Sequence, residues 1–392
     1  MKNFKMLKKA LKGNVILPDR ILINGVVLIE GNKISGVYSQ KDKFRDKAAE
    51  LFDYGDKFIS PGLIDMHIHG ALGKDIMDCD TESLKQIAFH QTGCGVTGFL
   101  GTTASSSLHS LLETVETVKR ATKSHLPSEL LGIYVEGPFL NIKRKGAHDP
   151  SFIRVMNKEE IQNLIRAVKG MMTVISMAPE VNDNMSYIRT LKENGIIVAI
   201  GHSDATYQQA IESFKKGITH ATHLFNAMSG YHHRKPGVAG AVFDFPEVSA
   251  EVIADGIHLH PSALRLVFCR KEKGKICLIT DSIKAAEMGD GIFSMGNLKI
   301  EVKGNKARLV KSNVLAGSVL TLNRAVRNII DWIGVPVNQA IHMASLNPAR
   351  VLGLDNKIGS IQRGKYANIA IFDREFNVVE TILRGKFVFV SK

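Results

Sequence analysis

Between residues 59 and 351, short apolar runs alternate with longer amphipathic ones, eight times over. The strand-like runs are 63–69, 96–102, 130–136, 173–177, 196–202, 219–224, 248–254 and 275–280. Helical spacing of apolar residues lies between most of them, for example at 83–91, 108–119, 159–168, 205–214 and 261–271, and again at 322–333 after the eighth run. A short run without polar alternation suits a strand covered on both faces, and the amphipathic run after it suits a helix lying on that sheet. Eight such units in about 290 residues predict an α/β fold, a (β/α)8 TIM-like barrel.

The two ends of the chain read differently. Residues 21–30 are apolar and β-branched, Gly31-Asn32-Lys33 turns, and 34–38 continues, which is hairpin chemistry. Residues 367–372 and 378–390 are also strand-like, with Arg384-Gly385-Lys386 as a turn. We therefore expect 1–58 and 352–392 to pair into one small β-sandwich domain beside a 59–351 barrel. The run from Gly359 to Asn368 nearly spells a phosphate loop, GxxxxGK. Tyr366 stands where a magnesium-binding hydroxyl is required, and strand-like sequence follows where a helix is required.

Catalytic groups of a barrel project from the carboxyl ends of its strands. The first run ends Asp65-Met66-His67-Ile68-His69, and residues i and i+2 share a face, so His67 and His69 point the same way. The third ends at Glu136, before Gly137-Pro138 breaks it; the fifth ends at His202, the sixth near His223 and the eighth at Asp281. Imidazole and carboxylate together suit Zn²⁺ or Fe²⁺. His220 lies three positions before His223, faces the other way in a regular strand and reads as structural.

Composition bounds the rest. The net charge of +13 comes from scattered lysines and arginines with short clusters such as Lys143-Arg144-Lys145, and no nucleic-acid module accompanies it. It suits weak steering of an anionic substrate, or a plain solvated surface. No apolar run reaches the roughly 20 residues of a membrane span. The opening MKNFKMLKKALKGN is basic without an apolar core, so a cytoplasmic location is expected. Cys79, Cys94, Cys269 and Cys277 form no CxxC pair and read as reduced thiols.

The segments LIDMHIHG, YVEGPFLN, KGAHDP, GHSDAT, THLFNAMS, KPGVAG, ADGIHLHP and LITDS, in that order from about residue 58, resemble the N-acetylglucosamine-6-phosphate deacetylases of the amidohydrolase superfamily. HxH is common to the superfamily, whereas EGPFLN, HLFNAM and DGIH are much more specific. The resemblance implies hydrolysis of N-acetyl-D-glucosamine 6-phosphate to D-glucosamine 6-phosphate and acetate, in amino-sugar catabolism, by metal-activated water. It implies that Glu136, His202 and His223 hold the main metal and that His67 and His69 complete a second position, giving one or two zinc or iron ions per subunit. Asp281 becomes general base and acid, and His148 helps polarise the acetyl carbonyl. Ala147, Asn226, Ala227, His258 and the stretch Leu315, Ala316, Gly317 become substrate contacts. Arg234 reaches the phosphate across a homodimer interface.

Each role has a plain competitor: Arg234 as a solvated loop charge, Asn226 as a helix cap, His148 as a loop histidine, Asp281 as a core acceptor. Asn368 stands where the superfamily's closing motif usually has Asp, in the small domain. The alternative activity is that of a dihydroorotase or hydantoinase type of amidohydrolase. Those commonly bridge two metals with a carboxylated lysine, and no strand end here offers a lysine. A non-catalytic barrel is a third reading, but such a chain should have lost metal ligands.

Overall fold

The eight apolar runs become eight parallel strands: β1 (Leu63–Ile68), β2 (Val96–Thr103), β3 (Glu129–Glu136), β4 (Met172–Met177), β5 (Ile197–Ile200), β6 (His220–Ala221), β7 (Ser249–Ile253) and β8 (Ile276–Ile279). This computed structural model describes residues 8–391 apart from 43, 45 and 47. The first seven residues of the basic opening therefore lie outside the described residues. The strands neighbour one another in sequence order. The barrel closes where Ile68 bridges Ser282 in parallel and the Asp281 N–H donates to the His67 carbonyl at 2.9 Å. Thr280 Oγ1 donates to the buried Asp65 Oδ2 at 2.6 Å across the same seam. Every residue of β1 and β2 is buried, as both-face coverage requires.

The loops after the strands are terminated by side-chain caps. Asp80, Ser107, Asn157 and Thr206 accept backbone N–H bonds at the starts of helices Thr81–Gly93, Leu108–Ala121, Lys158–Val168 and Tyr207–Lys216. Helix Leu322–Ile333 ends at Gly334, whose φ of 70° is left-handed. Its buried stripe is Leu322, Ala325, Val326 and Ile329, the i, i+3, i+4, i+7 spacing of a helix on a sheet.

Two boundaries are shorter than expected. The 196–202 run is a strand only over Ile197–Ile200, and the 219–224 run only over His220–Ala221. The cause is local: His202, His223 and Asp281 have φ of 46°, 23° and 50°, so the backbone leaves the extended region at the residues that carry the chemistry. An antiparallel sheet of Gly291–Met295, Leu298–Lys303 and Lys306–Leu309 was not anticipated between β8 and its helix. Ile300, Val302, Ala307 and Leu309 form its inner face and pack on Ile283, Ala285 and Ala316. Helices Gly237–Asp244, Val337–Met343 and Leu346–Val351 are also additional.

Both ends of the chain enter one seven-stranded sheet. Its centre is Ala49–Pro61, which pairs in parallel with Lys8–Ile16 and antiparallel with Ile369–Phe372. Hairpins extend it on either side, to Lys33–Tyr38 and to Lys386–Val390. The sheet curls around Leu11, Val27, Ile29, Ile59, Ile369 and Ile371, all fully buried. Its two hairpin turns abut, because a Cβ on Gly385 would lie 2.2 Å from the Gly31 carbonyl oxygen. Residues Gly359 to Lys365 lead into strand Ile369–Phe372, not into a helix, so the near-phosphate loop is a connector. Asn368 Oδ1 accepts from the Arg384 N–H at 3.0 Å within this sheet. Among the described residues, no helix is long and apolar enough to cross a membrane.

Candidate metal-centred active site

The left-handed turns after β5, β6 and β8 bring His202, His223 and Asp281 to the mouth that β1 and β3 supply with His67, His69 and Glu136. All six are buried. Glu136 Oε1 lies 3.2 Å from His202 Nε2 and 2.8 Å from His223 Nε2, and the two imidazole nitrogens are 3.2 Å apart. His69 Nε2 lies 3.2 Å from Glu136 Oε2 and 3.2 Å from Asp281 Oδ1. His67 Nε2 is 3.6 Å from Glu136 Oε1 and 3.5 Å from Asp281 Oδ1.

The outward nitrogens show which way each ring is wired. His202 Nδ1 meets the Arg144 carbonyl at 2.8 Å, His223 Nδ1 the Asn226 carbonyl at 3.2 Å, and His67 Nδ1 the Glu251 carboxylate at 2.9 Å. Each partner only accepts, so each Nδ1 carries the proton and each Nε2 turns a lone pair inward. The His202 and His223 lone pairs and the Glu136 carboxylate converge within hydrogen-bond distances, with the His67 lone pair 3.6 Å from that carboxylate, and such groups repel one another unless a cation sits among them. Spacings of 2.8–3.2 Å are close to the edge of about 3.3 Å that bonds of about 2.0 Å make in a tetrahedron. His67 Nε2 is buried with no hydrogen-bond partner. The donor set therefore fits a divalent metal.

His148 is wired in the opposite sense. The Ser105 N–H donates to its Nδ1 at 3.0 Å, so the ring's proton sits on Nε2, 3.4 Å from Glu136 Oε2. Glu136, His148 and His202 are near enough to share an ion, but a protonated Nε2 cannot ligate. On this ground His223, not His148, completes the trio with Glu136 and His202, and His148 offers a hydrogen bond to whatever enters.

Charge is concentrated here. Burial would raise the Glu136 carboxyl, but the surrounding imidazoles, His67 foremost, hold it well below the usual range. Burial would lower His69, yet Asp281 and Glu136 raise it to about 9. Burial and the neighbouring His148 push His202 down to about 4. The carboxylates that favour protons on these rings favour a divalent cation in their place.

A cavity of about 590 Å³ opens above this cluster. Ala147, His148, Asn226, Ala227, His258, Leu315 and Gly317 line it. His258 is held there by Asp255, whose Oδ2 accepts from Nδ1 at 2.7 Å. Asn226 caps no helix; the next one starts at Gly237, and its amide donates to the Leu224 carbonyl at 3.2 Å. Two expected contacts lie elsewhere within this chain. Ala316 is buried beneath the three-stranded sheet. Arg234 is on an exposed loop, its guanidinium 2.8 Å from His233 Nε2. Lys143, Arg144 and Lys145 also line the cavity, so a cluster that read in sequence as steering or solvated charge stands at the entrance.

Residues 58–388 match the amidohydrolase family. The chain belongs to that family. Within it, the chain is 35% identical over 382 residues, 96% of each protein, to N-acetylglucosamine-6-phosphate deacetylase of Bacillus subtilis. It is 37% identical over 333 residues to N-acetylgalactosamine-6-phosphate deacetylase of Escherichia coli O157:H7, covering 84% of this chain and 87% of that protein. Among solved amidohydrolase structures, it is similar to a mutant N-acetyl-D-glucosamine-6-phosphate deacetylase of Mycobacterium smegmatis in complex with N-acetyl-D-glucosamine-6-phosphate. That match has a TM-score of 0.93 at 28% identity, covering 98% of this chain and 100% of the other.

Glu251 was not found by sequence reasoning. The one available signal was a carboxylate in the otherwise uncharged run 248–254, and nothing in the sequence says which face of the strand it takes.

Proposed function

We propose that this chain hydrolyses N-acetyl-D-glucosamine 6-phosphate to D-glucosamine 6-phosphate and acetate, as a metal-dependent carbohydrate deacetylase of amino-sugar catabolism. The observation that carries the reading is the convergence of three imidazole lone pairs and Glu136 beside Asp281, at the floor of a cavity with a cationic mouth. Glu136, His202 and His223 hold one ion, and His67 with His69 offers a second position; zinc or ferrous iron suits these donors. When bound, such an ion polarises a carbonyl oxygen and lowers the pKa of water toward about 7.

The chain's own groups do the rest. Asp281, ionised beside His69, takes a proton from the attacking water and later delivers it to the departing amine. His148 Nε2–H donates to the acetyl oxygen as negative charge develops there. His258, fixed by Asp255, and Asn226, Ala227, Leu315 and Gly317 hold the sugar, with Ala147 beside the acetamide. Arg234 reaches the phosphate from the neighbouring subunit of a homodimer, where its planar fork suits phosphate oxygens. The 59–351 segment is the catalytic barrel, and 1–58 with 352–392 the small domain. The working compartment is the cytoplasm.

The test is acetate release from N-acetylglucosamine 6-phosphate with and without a chelator, alongside elemental analysis of the purified protein. We expect chelator-sensitive turnover, and a higher kcat/KM than on the galactosamine epimer. Metal-loaded protein that leaves both phosphorylated sugars intact overturns the activity. A preference for the galactosamine epimer overturns the sugar assignment alone.

A further inference from the structure

Glu251 sits in β7 with no exposed surface, and no step above uses it. A carboxylate buried at this depth costs free energy unless several donors surround it. Here they do. Its Oε1 accepts from His220 Nε2 at 3.0 Å, and its Oε2 accepts from the His223 backbone N–H at 3.1 Å and from His67 Nδ1 at 2.9 Å. His220 is itself anchored, with Nδ1 2.7 Å from Ser249 Oγ. Tyr134 packs against the His67 ring at 4.6 Å between centroids and hydrogen-bonds to Thr222, not to His67. Glu251 is therefore the polar partner that decides how the His67 ring stands. Without an acceptor there, the His67 proton could move to Nε2 and face the cavity. The residue that read as a structural histidine, His220, belongs to the same chain of contacts.

We propose that Glu251 is the positioning residue of the metal centre: clamped by His220 and the His223 amide, it holds the His67 ring with its lone pair toward the ion. The inference rests on the metal-centred reading above. It assigns to a carboxylate in the barrel interior, one layer beneath the ligands, the decision whether the His67 and His69 position can bind.

The experiment measures Zn²⁺ affinity and stoichiometry, by competition with a chromogenic chelator and by elemental analysis, for the unaltered chain, Glu251→Gln, His67→Asn and the double variant. We expect Glu251→Gln to weaken Zn²⁺ binding about 10–100-fold, with no further loss when it is added to His67→Asn. An affinity equal to that of the unaltered chain overturns the inference. So does an equal loss in both backgrounds, which is what a merely structural role predicts. Should Glu251→Gln fail to fold, ¹⁵N-imidazole NMR of the unaltered Zn²⁺ form decides, with His67→Asn for assignment. A slowly exchanging Nδ1 proton on His67 is expected, and a proton on Nε2 overturns the proposal. An unaltered chain that takes up no Zn²⁺ sinks the metal-centred reading itself, a different result from a full-affinity variant.

Discussion

His148 and His202 stand edge to face, 4.6 Å between ring centroids, yet their nitrogens serve opposite purposes. His202 donates a hydrogen bond from Nδ1 to the Arg144 carbonyl and turns a lone pair inward, whereas His148 Nδ1 accepts one from the Ser105 N–H and the ring turns its own N–H inward. The difference is set by one backbone group behind each ring, and it separates a ligand from a donor. His148→Ala should therefore keep full metal content while turnover falls on the order of 10²–10³-fold. His202→Ala should lose metal as well as turnover. Elemental analysis beside steady-state kinetics reads both, and metal loss in His148→Ala would contradict the assignment. Asp281→Asn keeps the shape of the side chain and removes its basicity. It should retain metal and slow turnover by about 10²–10⁴-fold; near-normal turnover removes Asp281 from the chemistry. His67, His69, Glu136, His202, His223 and Asp281 were legible because histidines and carboxylates ended apolar runs. Their proton positions were not legible, because those depend on the Arg144 and Asn226 carbonyls and the Ser105 amide, which become neighbours only on folding.

The turns that follow the barrel strands do as much as the strands. At the turn after β8, the Ser318 N–H donates to the Asp281 carbonyl at 2.8 Å, and Gly317 with φ of 55° passes close beneath. A Cβ there would lie 2.5 Å from Ile283 Cγ2 and 2.8 Å from the Asp281 carbonyl oxygen. Gly317→Ala should cost about 1–3 kcal/mol of stability and lower turnover by displacing Asp281, as thermal denaturation and kinetics together will show. A second test lies between helices. Lys271, after helix Pro261–Arg270, donates from Nζ to the Val242 and Phe245 carbonyls at 2.8 and 2.6 Å, at the end of helix Gly237–Asp244. Burial pushes this ammonium down to about 8. Between pH 8 and its ordinary value, the unfolded chain then holds more protons than the folded one, so stability contributed by this group rises with pH across that window. The unfolding temperature of the wild type should climb relative to Lys271→Met from pH 8 to pH 10; a constant difference contradicts the shift. Elements were legible where their period was long. The sheet of Gly291–Lys303 and Lys306–Leu309 was not legible because only alternate residues face inward, as Ile300 and Val302 do, unlike the continuous apolar runs of the barrel strands.

At the scale of the whole molecule, the cavity and the charge point the same way. The mouth carries Lys143 and Lys145, and Arg144 is partly neutralised by Asp204 at 2.8 Å. Arg234, outside this chain's own cavity, is the group whose removal tests the assembly. Arg234→Ala should raise KM for the phosphorylated sugar with little change in kcat, and sedimentation should report a dimer; a monomer that retains full affinity refutes the shared site. The arrangement of the chain ends carries a consequence for biosynthesis. Strand Ala49–Pro61 is made early, but its antiparallel neighbour Ile369–Phe372 is made only after all the barrel strands. Until that neighbour is made, the nascent chain presents an open, apolar strand edge at Phe58–Pro61, and the small sheet can be completed only once the barrel strands have been synthesised. A gene truncated after Leu354 should give product that aggregates through that edge, even though all eight barrel strands have been synthesised.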